Sequence, residues 1–497
     1  MRKRPRGVVA AGHELSARAG ADVLAQGGNA VDAALAAMLT AMSCEPLLTG
    51  LGAGGYMLVQ RPGERPALLD FFVEAPGRGP ARAPTAALVP VVVSFGDAIQ
   101  EFHVGVASAG CYGVPAGVCA AAARFGTVPL AELAAPAAAL ARRGVPLSRE
   151  QAYVVRILEP IVTSTPECAA VFAPHGRVLG EGEPVRQPEL AAALERLGAE
   201  GSEPFYRGEI ARAVADWVGE RGGALGEADL AAYRVLEREP VTVTYRGRQV
   251  ASNPPPSAGG ILIARALALL ERGPSPPCAA ALAAVMQKVQ RERTPEFLAG
   301  LGEPGFAARF LAPRGPLGST THISALDAAG LACALTCSNG SSSGVIVPGT
   351  GVHLNNMLGE QDLNPLGFNR HPPGRRLPSM MAPTIVSAGG QAELVLGSAG
   401  SNRIRSAILQ TIVRVLDEGL TAAEAVRAPR LHFEDGVVYA EPGIDTRSLE
   451  ECGWRVVSFG EPNLFFGGVQ AVQRDRAGSL FGGGDPRRGG AAVVVEG

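Results

Sequence analysis

Gly318-Ser319-Thr320-Thr321-His322, continued through ISALDAAGLACALTCS to Ser338, decides how this chain is read. Two apolar runs flank Asp327-Ala328-Ala329-Gly330, a turn signal, so the segment predicts a pair of adjacent strands. Ile323 and Ala325 alternate imperfectly with Ser324 and Leu326, and Leu331 to Leu335 is apolar throughout. A hydroxyl at the head of such a strand sits at the edge of a sheet, within reach of a substrate. Threonine is a poor nucleophile until something takes its proton. A chain cut before Thr320 would carry its own base, because an α-amine has an ordinary pKa of about 7.7–8.0. The same residues also suit an ordinary buried strand, and the rest of the sequence has to decide.

Downstream, Ser338 to Gly344 is a polar loop, and Ala382–Val386 with Ala392–Leu396 predicts a hairpin. Gly397-Ser398-Ala399-Gly400-Ser401 follows, then an amphipathic helix, Arg403 to Leu416, with Asn402 as its cap. A strand entering a helix through a tight glycine turn presents backbone N–H groups and the positive end of a helix dipole. Such a turn can stabilise an oxyanion.

Upstream, Gly7–Ala11 reads as a strand. Asn29 caps an alanine-rich helix, Ala30 to Met42, apolar on most faces and so predicted to be buried. Leu51 to Gln60 reads as a glycine loop running into a strand. No Lys-Ser/Thr pair or helix follows, so close backbone approach is expected there rather than phosphate binding. Pro66–Phe72 is its paired strand. Residues 114–240 are mostly helical, Val241–Tyr245 and Gln249–Ser252 form a hairpin, and Pro254-Pro255-Pro256 feeds a helix from Ile261 to Leu270. Residues 272–317, rich in Pro, Gly and Arg, predict a linker. Strands flanked by helices in both halves imply an α+β fold with stacked, mostly antiparallel sheets between helical layers.

Composition narrows the function. A net charge of −2 over 497 residues gives no electrostatic case for nucleic acid or an anionic membrane. The eight cysteines are scattered without a CxxC, and the seven histidines are dispersed, so neither a disulfide framework nor a metal site is expected. The basic start, MRKRPR, precedes no apolar run of signal-peptide length, and the longest uncharged stretch is broken by glycines and a proline. These features predict a soluble, cytoplasmic protein without a cofactor.

QGGNAVDAALA, GLGAGGYMLV, FYRGEIA, DLAAYRVLEREPV, NPPPSAGG, STTHISALDAAG, GVHLNNML, LPSMMAPT, GSAGSNRI and EAVRAPRLHFEDG occur in this order. Together they make the sequence similar to the γ-glutamyltranspeptidase family of N-terminal-nucleophile (Ntn) hydrolases. The resemblance implies a four-layer αββα sandwich and a precursor cut between Ser319 and Thr320. Residues 1–319 would form a large chain and 320–497 a small one, the two making one composite domain. Thr320 would be the nucleophile, its freed amine the base, Ser338 the hydroxyl bonded to it, and Gly400 and Ser401 the oxyanion hole. Thr320 would attack a carbonyl to form an acyl-enzyme, which water or an amine resolves.

The resemblance also places Phe72, Asn356, Met357, Glu360, Ser379 and Met380 around the substrate. Here the residues depart from the family. Phe72 stands where an arginine clamps the glutamyl carboxylate, and a ring cannot replace a bidentate guanidinium. Met357 and Met380 replace polar residues, Gly340 replaces an asparagine, and Glu360 takes the place of an amine-binding aspartate. Arg375, Arg376 or Arg403 could supply the missing charge. The expected substrate is therefore a small acyl or amide compound other than simple glutathione. The alternatives are a hydrolase that cleaves a C–C bond beside a keto acid, as in alkylproline-type secondary metabolism, and an uncleaved, inactive binding relative. His322 is expected to be structural, Glu101 and His103 to belong to a strand pair, and Asp70 with Glu74 to play no acid–base role.

Overall fold

A computed structural model describes residues 5–79, 83–94, 99–292, 321–364 and 367–497. Ser319, Thr320 and the proposed cut between them lie outside the described residues, as does the part of the predicted linker from 293 onward.

The strand pair Thr321–Asp327 and Ala332–Ser338 forms as the sequence predicts and lies at the centre of a seven-stranded sheet. The sheet order is Ala491–Val495, Gly7–Ala11, Thr321–Asp327, Ala332–Ser338, Gly54–Gln60, Ala67–Phe71 and Leu236–Arg238. Every pairing is antiparallel. A second sheet runs Leu480–Gly484, Gly468–Arg474, Gln391–Ala399, Thr384–Ala388, Arg248–Ser252 and Val241–Tyr245, also antiparallel.

Alternation along the central strands explains the layers. Ile323, Ala325, Cys333, Leu335, Met57 and Val9 join a core with the buried helix Ala30–Cys44. Their neighbours Leu326, Ala334, Leu58 and Val8 meet Ile385, Val395 and Val472 of the second sheet. The far face of the second sheet packs on the helices Gly259–Leu270 and Arg403–Leu416. The result is helix, sheet, sheet, helix: a four-layer αββα sandwich. Both faces of each sheet are covered, which is why the strands read as near-continuous apolar runs with imperfect alternation.

The helix Ala30–Cys44 is buried at every position. Asn29 caps it as expected: its side chain accepts from Val31 N and Asp32 N at 2.8 and 3.0 Å, while Asp32 Oδ2 accepts the Asn29 N–H at 3.0 Å. Asn29→Ala is expected to cost about 1 kcal/mol, read as a lower denaturant midpoint at unchanged m.

Two expectations are corrected. Residues 272–317 are not linker throughout, because Ala279–Arg291 is a helix whose Leu282, Ala283, Met286 and Val289 bury one stripe. Asn402 precedes the helix Arg403–Leu416 but is itself helical in conformation and makes no side-chain cap. Its Nδ2 instead donates to Glu434.

Candidate active site

The central sheet and the second sheet converge on one small pocket. From the first come Gly340 and Ser341, in the loop just after Ser338. From the second come Gly400 and Ser401, at the end of the strand Gln391–Ala399, followed by Arg403 at the helix start. Leu48, Phe102, Val154, Ile157, Leu158 and Leu464 supply an apolar wall, and Arg488 completes the lining. The strand register puts Thr321 opposite Cys337, so Ser338 lies one step beyond this last described pair. Ser338 is buried, and its Oγ accepts the Gly340 N–H at 2.8 Å.

The loop after Ser338 is held by side chains that the family resemblance assigned to substrate. Glu360 Oε1 accepts from Ser341 N at 3.1 Å and from Ser341 Oγ at 3.3 Å. Asn356 Nδ2 donates to Ser341 Oγ at 2.6 Å. Gly340 has φ +68°, and a Cβ there would run into Asn356 Oδ1. An asparagine at 340 would have to displace the amide of Asn356, which fills that space here. Ser379 is buried, its Oγ accepting the Met381 N–H at 3.0 Å.

The three apolar replacements do not line the pocket. Phe72 stacks on Tyr56, with centroids 5.4 Å apart, in the core between the sheets, and Met357 belongs to the same cluster. Met380 lies in the core beyond the second sheet. Phe72 follows the strand Ala67–Phe71, where Asp70 Oδ1 accepts its N–H at 2.9 Å.

Of the three arginines considered, Arg376 is committed to the fold. It is buried, bonds the Phe72 carbonyl and the Tyr233 hydroxyl, and lies 3.4 and 3.5 Å from Asp70 and Glu74. Asp70 and Glu74 thus belong to one ion network with Arg376, Arg238 and Arg78, not to an acid–base pair. Arg375 is exposed. Arg403 does reach the pocket; its Nε donates to the Phe465 carbonyl at 2.9 Å.

His322 is structural. Burial pushes it down to about 3, so it is neutral, and its ring bridges Thr336 Oγ1 at 2.7 Å and Ser324 Oγ at 2.9 Å. Ser324 Oγ in turn donates to the Gln470 carbonyl of the second sheet at 3.0 Å. Glu101 and His103 lie on one strand of the pair Val89–Ser94 and Ile99–Val104, and Phe102 between them faces the pocket.

The turn geometry fits anion stabilisation. Gly400 has φ +121° and Ser401 φ +55°, just before the helix Arg403–Leu416, whose dipole is positive at this end. Ser401 therefore adopts a left-handed conformation that disfavours a side chain. Arg488 lies beside this turn: its Nη2 is 3.5 Å from where a Gly400 Cβ would stand.

Sequence reasoning missed Arg488 and Glu45. Glu45 is buried just beyond the helix Ala30–Cys44, and Thr321 Oγ1 donates to its Oε1 at 3.4 Å. Burial pushes its carboxyl up to about 7, against the pull of the Thr321 bond and the Arg488 charge. One signal was visible: Glu45 is the only charged residue between Asp32 and Arg61.

Among the described residues, no three His, Cys, Asp or Glu side chains gather where they could hold a metal, and no helix is long and apolar enough to cross a membrane.

Comparison with known proteins agrees with this fold. The acylase ACY 1 proenzyme of Pseudomonas sp. (strain V22) is 31% identical over 527 residues, covering 99% of this chain and 94% of its own. The glutathione hydrolase proenzyme of Escherichia coli (strain K12) is 31% identical over 535 residues, covering 97% and 90%. The crystal structure of cephalosporin acylase from Bacillus halodurans superposes with a TM-score of 0.83 at 26% identity, covering 100% of this chain and 97% of that one. The gamma-glutamyltranspeptidase family model matches residues 16–291 and 278–495. Fold and sequence together place the chain in the gamma-glutamyltranspeptidase family of Ntn-hydrolases, as a hydrolase or acyltransferase.

Proposed function

We propose that the protein cuts itself between Ser319 and Thr320, and that Thr320 then forms an acyl-enzyme with an amide whose acyl group is apolar rather than γ-glutamyl. The observation that carries this reading is the lining of the pocket between the Ser338 loop and the Gly400–Ser401 turn. Beside Arg403 and Arg488, six apolar side chains wall it, and Phe72 stands where the resemblance expects an arginine.

Strand alternation supports the assignment of Thr320. His322 and Leu326 share the inter-sheet face with Thr336 and Ala334, and Ser338 falls on that face by the same count. Position 320 has the same parity. Thr320 Oγ attacks the substrate carbonyl, the freed α-amine takes its proton, and the oxyanion meets the Gly400–Ser401 backbone. The amine product leaves, and water or a second amine resolves the ester. Self-cleavage uses the same hydroxyl on the Ser319 carbonyl. The relatives named as acylases support acyl transfer beyond glutathione.

The test is a series of chromogenic anilides. Straight-chain acyl anilides are expected to gain roughly fourfold in kcat/KM per added methylene until the pocket is full, because each buried CH₂ contributes about 0.8 kcal/mol. The γ-glutamyl anilide is expected to fall at least tenfold below the best of them, because its charged end would have to leave water against an apolar wall without the arginine expected at position 72. A preference for the γ-glutamyl compound would refute the apolar reading. Turnover of a keto acid in place of every amide would favour C–C cleavage.

A further inference from the structure

Glu45 is a buried carboxylate with one oxygen left over. Its Oε1 accepts from Thr321, the first residue of the strand Thr321–Asp327 and the neighbour of Thr320 in sequence, while its Oε2 has no partner among the described residues. The site is shaped for it. A Cβ on Gly12, just past the end of the neighbouring strand Gly7–Ala11, would collide with the carboxylate. Arg488, on the pocket side, has a buried Nε that is likewise without a partner among the described residues, and it is coupled to Glu45 by charge. Burying a carboxylate is costly unless something offsets it, so its retention beside Thr321 calls for a role.

We infer that Glu45 is a positioning residue for catalysis: through Thr321 it fixes the strand end that presents the nucleophile, and its charge biases the proton on the amine released there. This rests on the reading of Thr320 as the nucleophile. Thr321 shares the helix-side face with Ile323 and Ala325, so the carboxylate supports the strand from behind without occupying the substrate face. The charged and titratable groups facing Glu45 are Arg488, from the segment after the second sheet, and Cys44, its neighbour on the helix. A nearby negative charge favours the protonated amine and so delays its action as a base to higher pH.

The carboxyl titrates near 7, above its ordinary value. The folded protein therefore holds this proton more tightly than the unfolded chain, and Glu45's contribution to stability is complete below about pH 4.5 and fades as pH rises through about 7. Glu45→Gln removes that fade and removes the charge while keeping an acceptor for Thr321.

The experiment compares wild type, Glu45→Gln and Thr321→Val, each first shown by intact mass to be cut before Thr320, in acylation rate from pH 5 to 9. For Glu45→Gln the acidic limb is expected to move down by about one pH unit. For Thr321→Val, kcat is expected to fall about tenfold at unchanged KM. A Glu45→Gln limb coincident with that of wild type, or Thr321→Val kcat within twofold of wild type, overturns the inference. If Glu45→Gln does not accumulate as folded protein, Thr321→Val decides by the same criterion. Failure of the underlying reading gives a different result, activity or processing that survives Thr320→Ala.

Discussion

Thr320→Ala is expected to leave one uncut chain with no measurable acyl transfer, where the wild type gives two chains whose masses sum to the precursor plus one water. Both effects have one cause. In the proposed mechanism one hydroxyl attacks the Ser319 carbonyl during maturation and the substrate afterwards, so removing it should abolish the cut and the acyl-enzyme together. The loss in kcat is expected to exceed about 10⁴-fold, the scale on which removal of a covalent nucleophile acts. Thr320→Ser keeps the hydroxyl and is expected to be cut, more slowly, and to regain part of the activity. In the wild type, substrate quenched in mid-turnover should leave its acyl mass on the chain that begins at Thr320. Intact-mass analysis reads all of these. A cut Thr320→Ala protein would place the nucleophile elsewhere. An uncut wild type after prolonged incubation would instead support the inactive binding relative.

Much of the fold could be read from local patterns. The Asp327–Gly330 turn between two apolar runs specified the central hairpin, and Asn29 followed by an alanine-rich run specified a buried helix with its cap. These signals lie within a few residues of the elements that they determine. What escaped depends on contacts between distant segments. Thr321 and Glu45 are 276 positions apart, and Arg488 comes from a third segment near the other end of the chain. The helix Ala279–Arg291 was masked by the proline-rich stretch before it, although Leu282, Met286 and Val289 carry helical spacing. Asn402 has the right identity for a cap and the wrong backbone, because its amide is drawn to Glu434. Resemblance placed Phe72, Met357 and Met380 around a substrate, and packing put all three into the cores on either side of the second sheet. None of the three is in the lining of the pocket between the Ser338 loop and the Gly400–Ser401 turn.

Gly400→Ala is the second change with a large expected effect, and it tests the proposed oxyanion turn without touching the proposed nucleophile. Gly400 has φ +121°, a conformation in which a Cβ is strained, and the added atom would lie 2.6 Å from Gly467 Cα. That neighbour is backbone, so no flexible side chain can give way and the turn itself must shift. Moving the N–H groups at 400 and 401 by a few tenths of an ångström weakens their bonds to an oxyanion far more than it weakens the sheet. Loss of one oxyanion donor costs roughly 10²–10³-fold in kcat, and kcat is expected to fall on the order of 10²-fold with KM little changed. The proposed self-cleavage passes through an oxyanion too, so the uncut fraction should persist longer after synthesis. Backbone strain alone costs about 1–3 kcal/mol of stability, and a control separates it. Gly389 has φ +56° and open space within 4 Å of where a Cβ would stand, so Gly389→Ala carries strain without collision. If Gly389→Ala lowers the melting temperature while leaving kcat and processing intact, and Gly400→Ala slows both, the effect belongs to the turn at the pocket. If Gly400→Ala matches wild type in both rates, the oxyanion is stabilised elsewhere, and Arg488 is then the group to substitute next.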